Sequence, residues 1–248
     1  MNSEKDSEAV QQRLLNGQRE LPALHAIYRG TPQYPARLSA FLGDSAPAAV
    51  RVCGNLDLLA KVDSGQCRSL AIAASVSSSA GITETALGLL RSLFRKDLVF
   101  VGGFHSPLEQ SCLRLVIRDR ELALACLGRS LVGIRFPRDW QTALREGRLV
   151  LLSAANDTCR RPTRESIDSR NECVAALSSR FLALSAAVGG KTQAVCQRLI
   201  SSGREVWALD HPDNQALLAA GALPVNFASA AQLVDSRFRG LAQGMKSV

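Results

Sequence analysis

Residues 180–210 read RFLALSAAVGGKTQAVCQRLISSGREVWALD: an apolar run, a Gly-Gly-Lys-Thr turn, an amphipathic helical pattern from about Thr192, and a second apolar run. A buried strand, a tight turn, a helix and another strand in that order form the repeating unit of a parallel sheet with right-handed crossovers. The turn has its own chemistry. Gly189 and Gly190 are placed to offer consecutive backbone amides at a helix N-terminus, and Lys191 adds a cation where the helix dipole is already positive. With Thr192 this makes a seat for an anion. It is not a nucleoside-triphosphate loop of the GxxxxGK[ST] kind, because the first glycine would have to stand at Ser185. A tight strand-to-helix turn carrying a solvated lysine remains the alternative.

The same alternation continues on both sides of this stretch. Apolar runs at 69–75 (SLAIAAS), 97–103 (DLVFVGG), 122–127 (LALACL), 148–154 (RLVLLSA), 180–186, 204–210 and 222–227 (ALPVNF) alternate with helical patterns. Those patterns are at 84–95, 106–117, 136–147, 171–179, 192–203 and 214–221. The expectation is an α/β chain with a Rossmann-like, doubly wound, mostly parallel sheet and a short N-terminal extension. Ligands of such sheets sit beyond the carboxyl ends of the strands, so the turns after the runs are where function is sought.

Two more of these turns are informative. In GGFHSPLEQ, Ser106 is a helix cap, Pro107 suits the first helical position, and Glu109 is placed to close a capping box. Gly102 and Gly103 let backbone approach a ligand, and His105 stands at the sheet edge as a phosphate donor, a base or a plain loop residue. In AASVSSSAG, Ser75 and its neighbours either bond phosphate oxygens or cap the next helix, where Ser79 or Thr83 would serve. Between the fourth and fifth runs, NDTCRRPTRESIDSRNE holds Arg160, Arg161, Arg164 and Arg170, enough cations to contact a phosphate backbone or to form a solvated loop. No aromatic residue interleaves them, so base stacking on this segment is not supported.

Composition bounds the rest. A chain of 248 residues with 46% hydrophobic and 5% aromatic content suits helices on a parallel sheet, and a net charge of +8 favours polyanionic partners. The seven cysteines are scattered without a CxxC pair, as in a reducing cytoplasm, and no set of metal ligands stands out. No apolar stretch reaches the roughly 20 residues of a membrane span, and the charged start MNSEKDSEAVQQRLLNGQRE lacks the core of a signal peptide. No membrane, metal or cofactor is expected, and the location expected is cytoplasmic.

Three further stretches carry a resemblance. YPARLSAFLGDSAPAAVRVCGNLDLL (Tyr34 to Leu59) combines Tyr-Pro, Asp before a proline and Gly-Asn-Leu; SRNECVAALS and VGGKTQA followed by SGREVWALDHPDN and LLAAGA come later. Together they resemble the DNA-processing protein A (DprA, also called Smf) family from about Tyr34 to Asp235. The resemblance implies a non-catalytic protein that binds single-stranded DNA in a basic pocket, often as a homodimer, and helps place a recombinase on incoming strands in transformation. Arg170 with Asn171 would shape that pocket. The family's Gly-Ser-Arg after the first strand reads Ala74, Ser75, Val76 here, and its second arginine and its aspartate read His105 and Leu108. The organisation expected is a polar tail or helix at 1–33, a lead-in segment at 34–66, the Rossmann-like domain at 67–235 and a basic tail at 236–248. The alternative reading is a nucleotide-binding sensor, or a nucleotide hydrolase in which Glu109 or Glu172 supplies the missing catalytic carboxylate.

Overall fold

The computed structural model describes residues 20–235. Of the polar tail or helix expected at 1–33, residues 1–19 lie outside the described residues, as does the basic segment at 236–248, and Leu24–Tyr28 is a strand. One sheet organises everything else. Its nine strands are β1 (Leu24–Tyr28), β2 (Ala49–Gly54), β3 (Arg68–Ala74), β4 (Leu98–Gly102), β5 (Leu122–Cys126), β6 (Leu149–Ser153), β7 (Arg180–Ser185), β8 (Val206–Leu209) and β9 (Leu223–Val225). The order across the sheet is β1-β2-β6-β5-β4-β3-β7-β8-β9. β1 with β2 and β2 with β6 are antiparallel, and all other pairs are parallel.

The seven apolar runs of the sequence are β3 to β9, so the Rossmann-like α/β arrangement expected from their alternation is the one observed. β1 and β2 were not legible as strands. β1 buries only Ile27, and an edge strand with one buried side chain has no run of apolar residues to announce it.

The helices are α1 (Ala36–Leu42), α2 (Leu56–Ser64), α3 (Ile82–Ser92), α4 (Pro107–Arg118), α5 (Arg138–Arg145), α6 (Arg164–Leu177), α7 (Lys191–Ser201), α8 (Gln215–Ala219) and α9 (Ala230–Leu233). They cover both faces. Leu70, Ile72 and Phe100 pack towards α3, α4 and α5, whereas Ala71, Val99 and Val101 pack towards α6 and α7. Successive strand residues point to opposite faces and both faces are covered, which is why the strands read as continuous apolar runs. Among the described residues no helix is long and apolar enough to cross a membrane.

The motifs of the lead-in segment have structural work. The Tyr34 hydroxyl donates to the Pro47 carbonyl at 2.7 Å, and burial pushes its pKa up to about 12. Asn55 caps α2, its Oδ1 accepting from the amides of Asp57 and Leu58 at 3.0 and 3.2 Å. Arg37 donates to the Asp63 carbonyl at 2.9 Å and to the hydroxyls of Ser69 and Ser179 at 3.3 and 3.2 Å, fixing α1 to the amino edge of the sheet.

Two local expectations are corrected. The helix expected from Asn171 starts at Arg164, because Thr163 caps it and Ser166 Oγ accepts in return from the Thr163 amide at 2.9 Å. Arg170 and Asn171 therefore lie on a helix face and not at its mouth. Ser106 does cap α4 and Pro107 does open it, but Glu109 does not close the box. Its carboxylate turns inward to the amides of Ala74 and His105 at 2.8 and 2.7 Å.

Candidate functional site

Strand order reverses between β3 and β7. The chain moves outward from β3 through β4, β5 and β6, then returns to the other side of β3 with β7. Crossovers leave this junction in opposite directions, so α6 and α7 part over it and open a crevice at the carboxyl ends of the strands. The crevice is a cavity of about 380 Å³. Its floor is apolar, made by Phe181 of β7, Val174 and Ile167 of α6 and Val195 of α7. Its rim is polar.

Ser75, Gly103, His105, Arg170, Asn171, Gly190, Lys191 and Thr192 all line this cavity. These residues span more than a hundred positions of sequence, and the switch in strand order brings them together. Ser75 follows β3 directly, where its Oγ accepts from the Ala187 amide at 2.8 Å and its own amide donates to the Ser185 carbonyl at 2.8 Å. It joins the β3 and β7 turns and retains a hydroxyl proton. Ser79 and Thr83 do not cap α3, whose start at Gly81 has no side-chain cap; the Ser79 amide instead donates to Asp213 Oδ2 at 3.0 Å.

The glycine turn differs from its sequence reading in one respect. Gly189, at φ +72°, makes the turn that a side chain would strain. However, the Gly189 amide already donates to Gln193 Oε1 at 2.7 Å and the Gly190 amide to the Ala187 carbonyl at 2.9 Å. The two glycine amides are thus spent on the turn itself. The next amides, those of Lys191 and Thr192, open the first turn of α7, where no side chain caps the helix. Lys191 Nζ is held by Asp168 Oδ1 at 2.8 Å.

Arg170 forms the opposite wall. Its Nε and Nη2 donate to Asn171 Oδ1 at 3.2 and 2.8 Å. A Cβ on Gly103 would stand 2.7 Å from Arg170 Nε and 3.0 Å from its Cδ and Cζ, so only glycine leaves the guanidinium its place. Burial lowers the Arg170 pKa, and the nearby Glu109 carboxylate raises it in part. Glu109 is buried at 7% exposure; its pKa is raised by that burial, against the opposing pull of its amide hydrogen bonds and of Arg170.

Sequence reasoning missed Asp168, because 156–172 read as a loop, and it gave Glu109 as a capping residue or a substitute catalytic carboxylate, not as the buried acceptor of the Ala74 and His105 amides. Leu108, standing where the resemblance expects an aspartate, is buried in the core at 4% exposure, and the carboxylate at the site comes from the next position. Val76, in place of the expected arginine, lines the cavity and is 68% exposed.

Other expected residues stand apart. Gly102 ends β4 behind the wall, where a Cβ would meet the Phe104 ring at 3.0 Å. Arg160 and Arg161 line a second cavity of about 830 Å³ between β2, β6 and α6. Arg164 is exposed at the start of α6 and lines neither.

The family model of DNA recombination-mediator protein A matches residues 25–237. The chain belongs to that family. No curated protein sequence matches the chain. Two solved DprA structures share its fold. The Streptococcus pneumoniae protein superposes with a TM-score of 0.69 at 19% identity, over 90% of this chain and 77% of that one. The Helicobacter pylori protein, whose single-stranded DNA binding mode that structure describes, superposes with a TM-score of 0.66 at 16% identity, over 86% of this chain and 96% of that one. Against the DprA family pattern, the pocket here keeps its glycine turn, with the cation Lys191 beside it, and its Arg-Asn pair. It has Val76 and His105 where that pattern has arginines, and Leu108 where it has an aspartate.

Proposed function

We propose that the chain binds single-stranded DNA, seating a backbone phosphate in the crevice between β3 and β7. The observation that carries this reading is the convergence of the uncapped α7 N-terminus, Lys191 and Arg170 on one cavity at the switch point of a recombination-mediator fold. The phosphate accepts from the amides of Lys191 and Thr192, and Lys191 leaves Asp168 for it. Arg170, already steered by Asn171 and Gly103, supplies the second charge, with Ser75 and His105 as further donors. Helping to place a recombinase on strands taken up in transformation, as a cytoplasmic homodimer, is the wider role we assign, on the strength of the family.

No hydrolytic step is part of the proposal. Glu109 has each carboxylate oxygen committed to a backbone amide, and Glu172 pairs with Arg198 at 2.5 Å and does not line the cavity. One observation favours a second reading, a free nucleotide. The apolar floor of Phe181, Val174 and Val195 and a volume near the lower end of small-molecule pockets, about 300–1,000 Å³, would suit a single nucleoside.

Fluorescence anisotropy of a labelled oligothymidine across a salt series separates the two. Under the DNA reading, Lys191→Ala weakens binding and makes the slope of log K against log salt shallower by about 0.7, the value of one single-strand phosphate contact. Nucleoside monophosphates then compete poorly. Absence of oligomer binding, with monophosphates raising the melting temperature, would transfer the pocket to the small ligand.

A further inference from the structure

The carboxyl edge of the sheet carries a second basic feature beside the pocket. The loop after β5 and the loop after β6 are fastened together: the Ser130 amide donates to the Cys159 carbonyl at 2.8 Å, and Ser153 Oγ to the Arg129 carbonyl at 2.8 Å. Arg160 Nη1 donates to the Val132 carbonyl across the same seam. Joined in this way, the two loops and the helix starts that follow them present Arg129, Arg135, Arg138, Arg160, Arg161 and Arg164, all exposed.

None of these six forms an ion pair among the described residues. The same segments hold three carboxylates, Asp139, Asp157 and Glu165, and Arg51 takes Asp157 at 2.7 Å. The surface is therefore a ridge on which six exposed arginines, none in an ion pair, outnumber the three carboxylates. Its one aromatic pair, Phe136 and Trp140, is stacked on itself with ring centroids 6.3 Å apart at 12°. Charge, and not ring faces, is what the ridge offers.

Its position matters more than its charge. Helix α6 stands between the ridge and the pocket: Ser166 and Ser169 line the second cavity with Arg160 and Arg161, while Ile167, Arg170 and Asn171 line the first. Along the helix axis Arg164 lies about 9 Å from Arg170, at about 1.5 Å per residue. That is within reach of phosphates about one or two nucleotides apart along one strand.

We propose that this ridge is a second contact surface for the same strand: the sugar-phosphate backbone leaves the switch-point pocket, crosses the first turns of α6 and lies along the arginines. The inference rests on the DNA reading of the pocket and extends its footprint. The ridge contacts phosphates and carries no base specificity.

The test compares the unaltered chain, Lys191→Ala, and the triple variant Arg135→Ala, Arg161→Ala, Arg164→Ala. Oligothymidines of about 4 and about 16 nucleotides, the limits of ordinary single-strand footprints, are titrated across a salt series. All three substituted side chains are exposed, and the melting temperature checks that the fold is kept. The triple variant is expected to make the salt slope for the long oligomer shallower by about 2, from three contacts at about 0.7 each, and to weaken the short one less. An unchanged slope for the long oligomer, or equal loss at both lengths, would overturn the proposal. So would a triple variant that loses binding to phosphatidylserine vesicles while keeping DNA binding intact. If Lys191→Ala changes neither length while the triple variant still weakens the long one, the pocket reading fails and the shared path with it, and the ridge alone holds the strand.

Discussion

Replacing Gly103 by alanine puts the arrangement of Arg170 under a direct test. The new Cβ would lie 2.7 Å from Arg170 Nε, where carbon contacts settle at about 3.5–4.0 Å. The guanidinium must therefore retreat by close to 1 Å or swing away. Either movement takes its Nη2 beyond hydrogen-bonding reach of Asn171 Oδ1, now at 2.8 Å. Because the side chain has a cavity to swing into, the fold loses little, about 0.5–1.5 kcal/mol, the worth of one ordinary hydrogen bond. The ligand loses more. A hydrogen bond to a charged group is worth about 1.5–3 kcal/mol, so affinity for oligothymidine should fall at least about tenfold. Anisotropy gives the affinity and thermal unfolding the stability. Arg170→Ala should give a similar loss, and the double variant little more, because both changes remove the same contact. A Gly103→Ala variant that binds as tightly as the unaltered chain, or a double variant whose losses add, would refute this account of Arg170.

Two further outcomes follow from the same geometry. Thr163→Ala removes the cap that opens α6 ahead of Arg164, and should lower stability by about 0.5–2 kcal/mol. Differential scanning calorimetry should show this as a melting temperature lower by about 2–4 °C per kcal/mol in a chain of this size. Glu109 gives the pH dependence: burial raises its folded pKa above the unfolded value, so the folded state keeps a proton that the unfolded state has released. Its contribution is fully present below the ordinary glutamate range and is lost as pH rises through the elevated value. Comparing denaturation midpoints over that window, the fall should be shallower in Glu109→Gln, and an identical pH profile would count against a perturbed Glu109.

Much of the fold was legible because β3 to β8 are buried on both faces and so read as uninterrupted apolar runs, while the edge strand β9 buries only Val225. β1 and β2 escaped because half-exposed antiparallel strands alternate weakly, and their sequence was dominated by the Tyr34 and Asn55 motifs. For the site, Gly190, Lys191, Thr192, Arg170 and Ser75 were readable from local patterns at turns and helix starts. What sequence could not supply was which backbone groups were already taken. The Gly189 and Gly190 amides looked free until Gln193 and Ala187 proved to hold them. Glu109 has the spacing of a capping residue, and only the approach of β3 gives its carboxylate the Ala74 amide to prefer. Arg129, Arg135 and Arg138 were passed over because nothing local joins them to Arg160 and Arg161; the loop-to-loop hydrogen bonds do.

The reversal of strand order has a temporal side as well as a spatial one. Leu70 pairs with Arg180 and Ala71 with Phe181, partners about as far apart in sequence as any two adjacent strands of this sheet. The crevice draws one wall from residues 72–109 and the other from residues 167–195. A chain synthesised only as far as β6 therefore has one jaw and nothing to close against it. Closing the jaws is a long-range, entropically demanding event that comes with docking of β7 on β3. A ligand held across the crevice grips two parts of the chain that are far apart in sequence, and favours the state in which they have met.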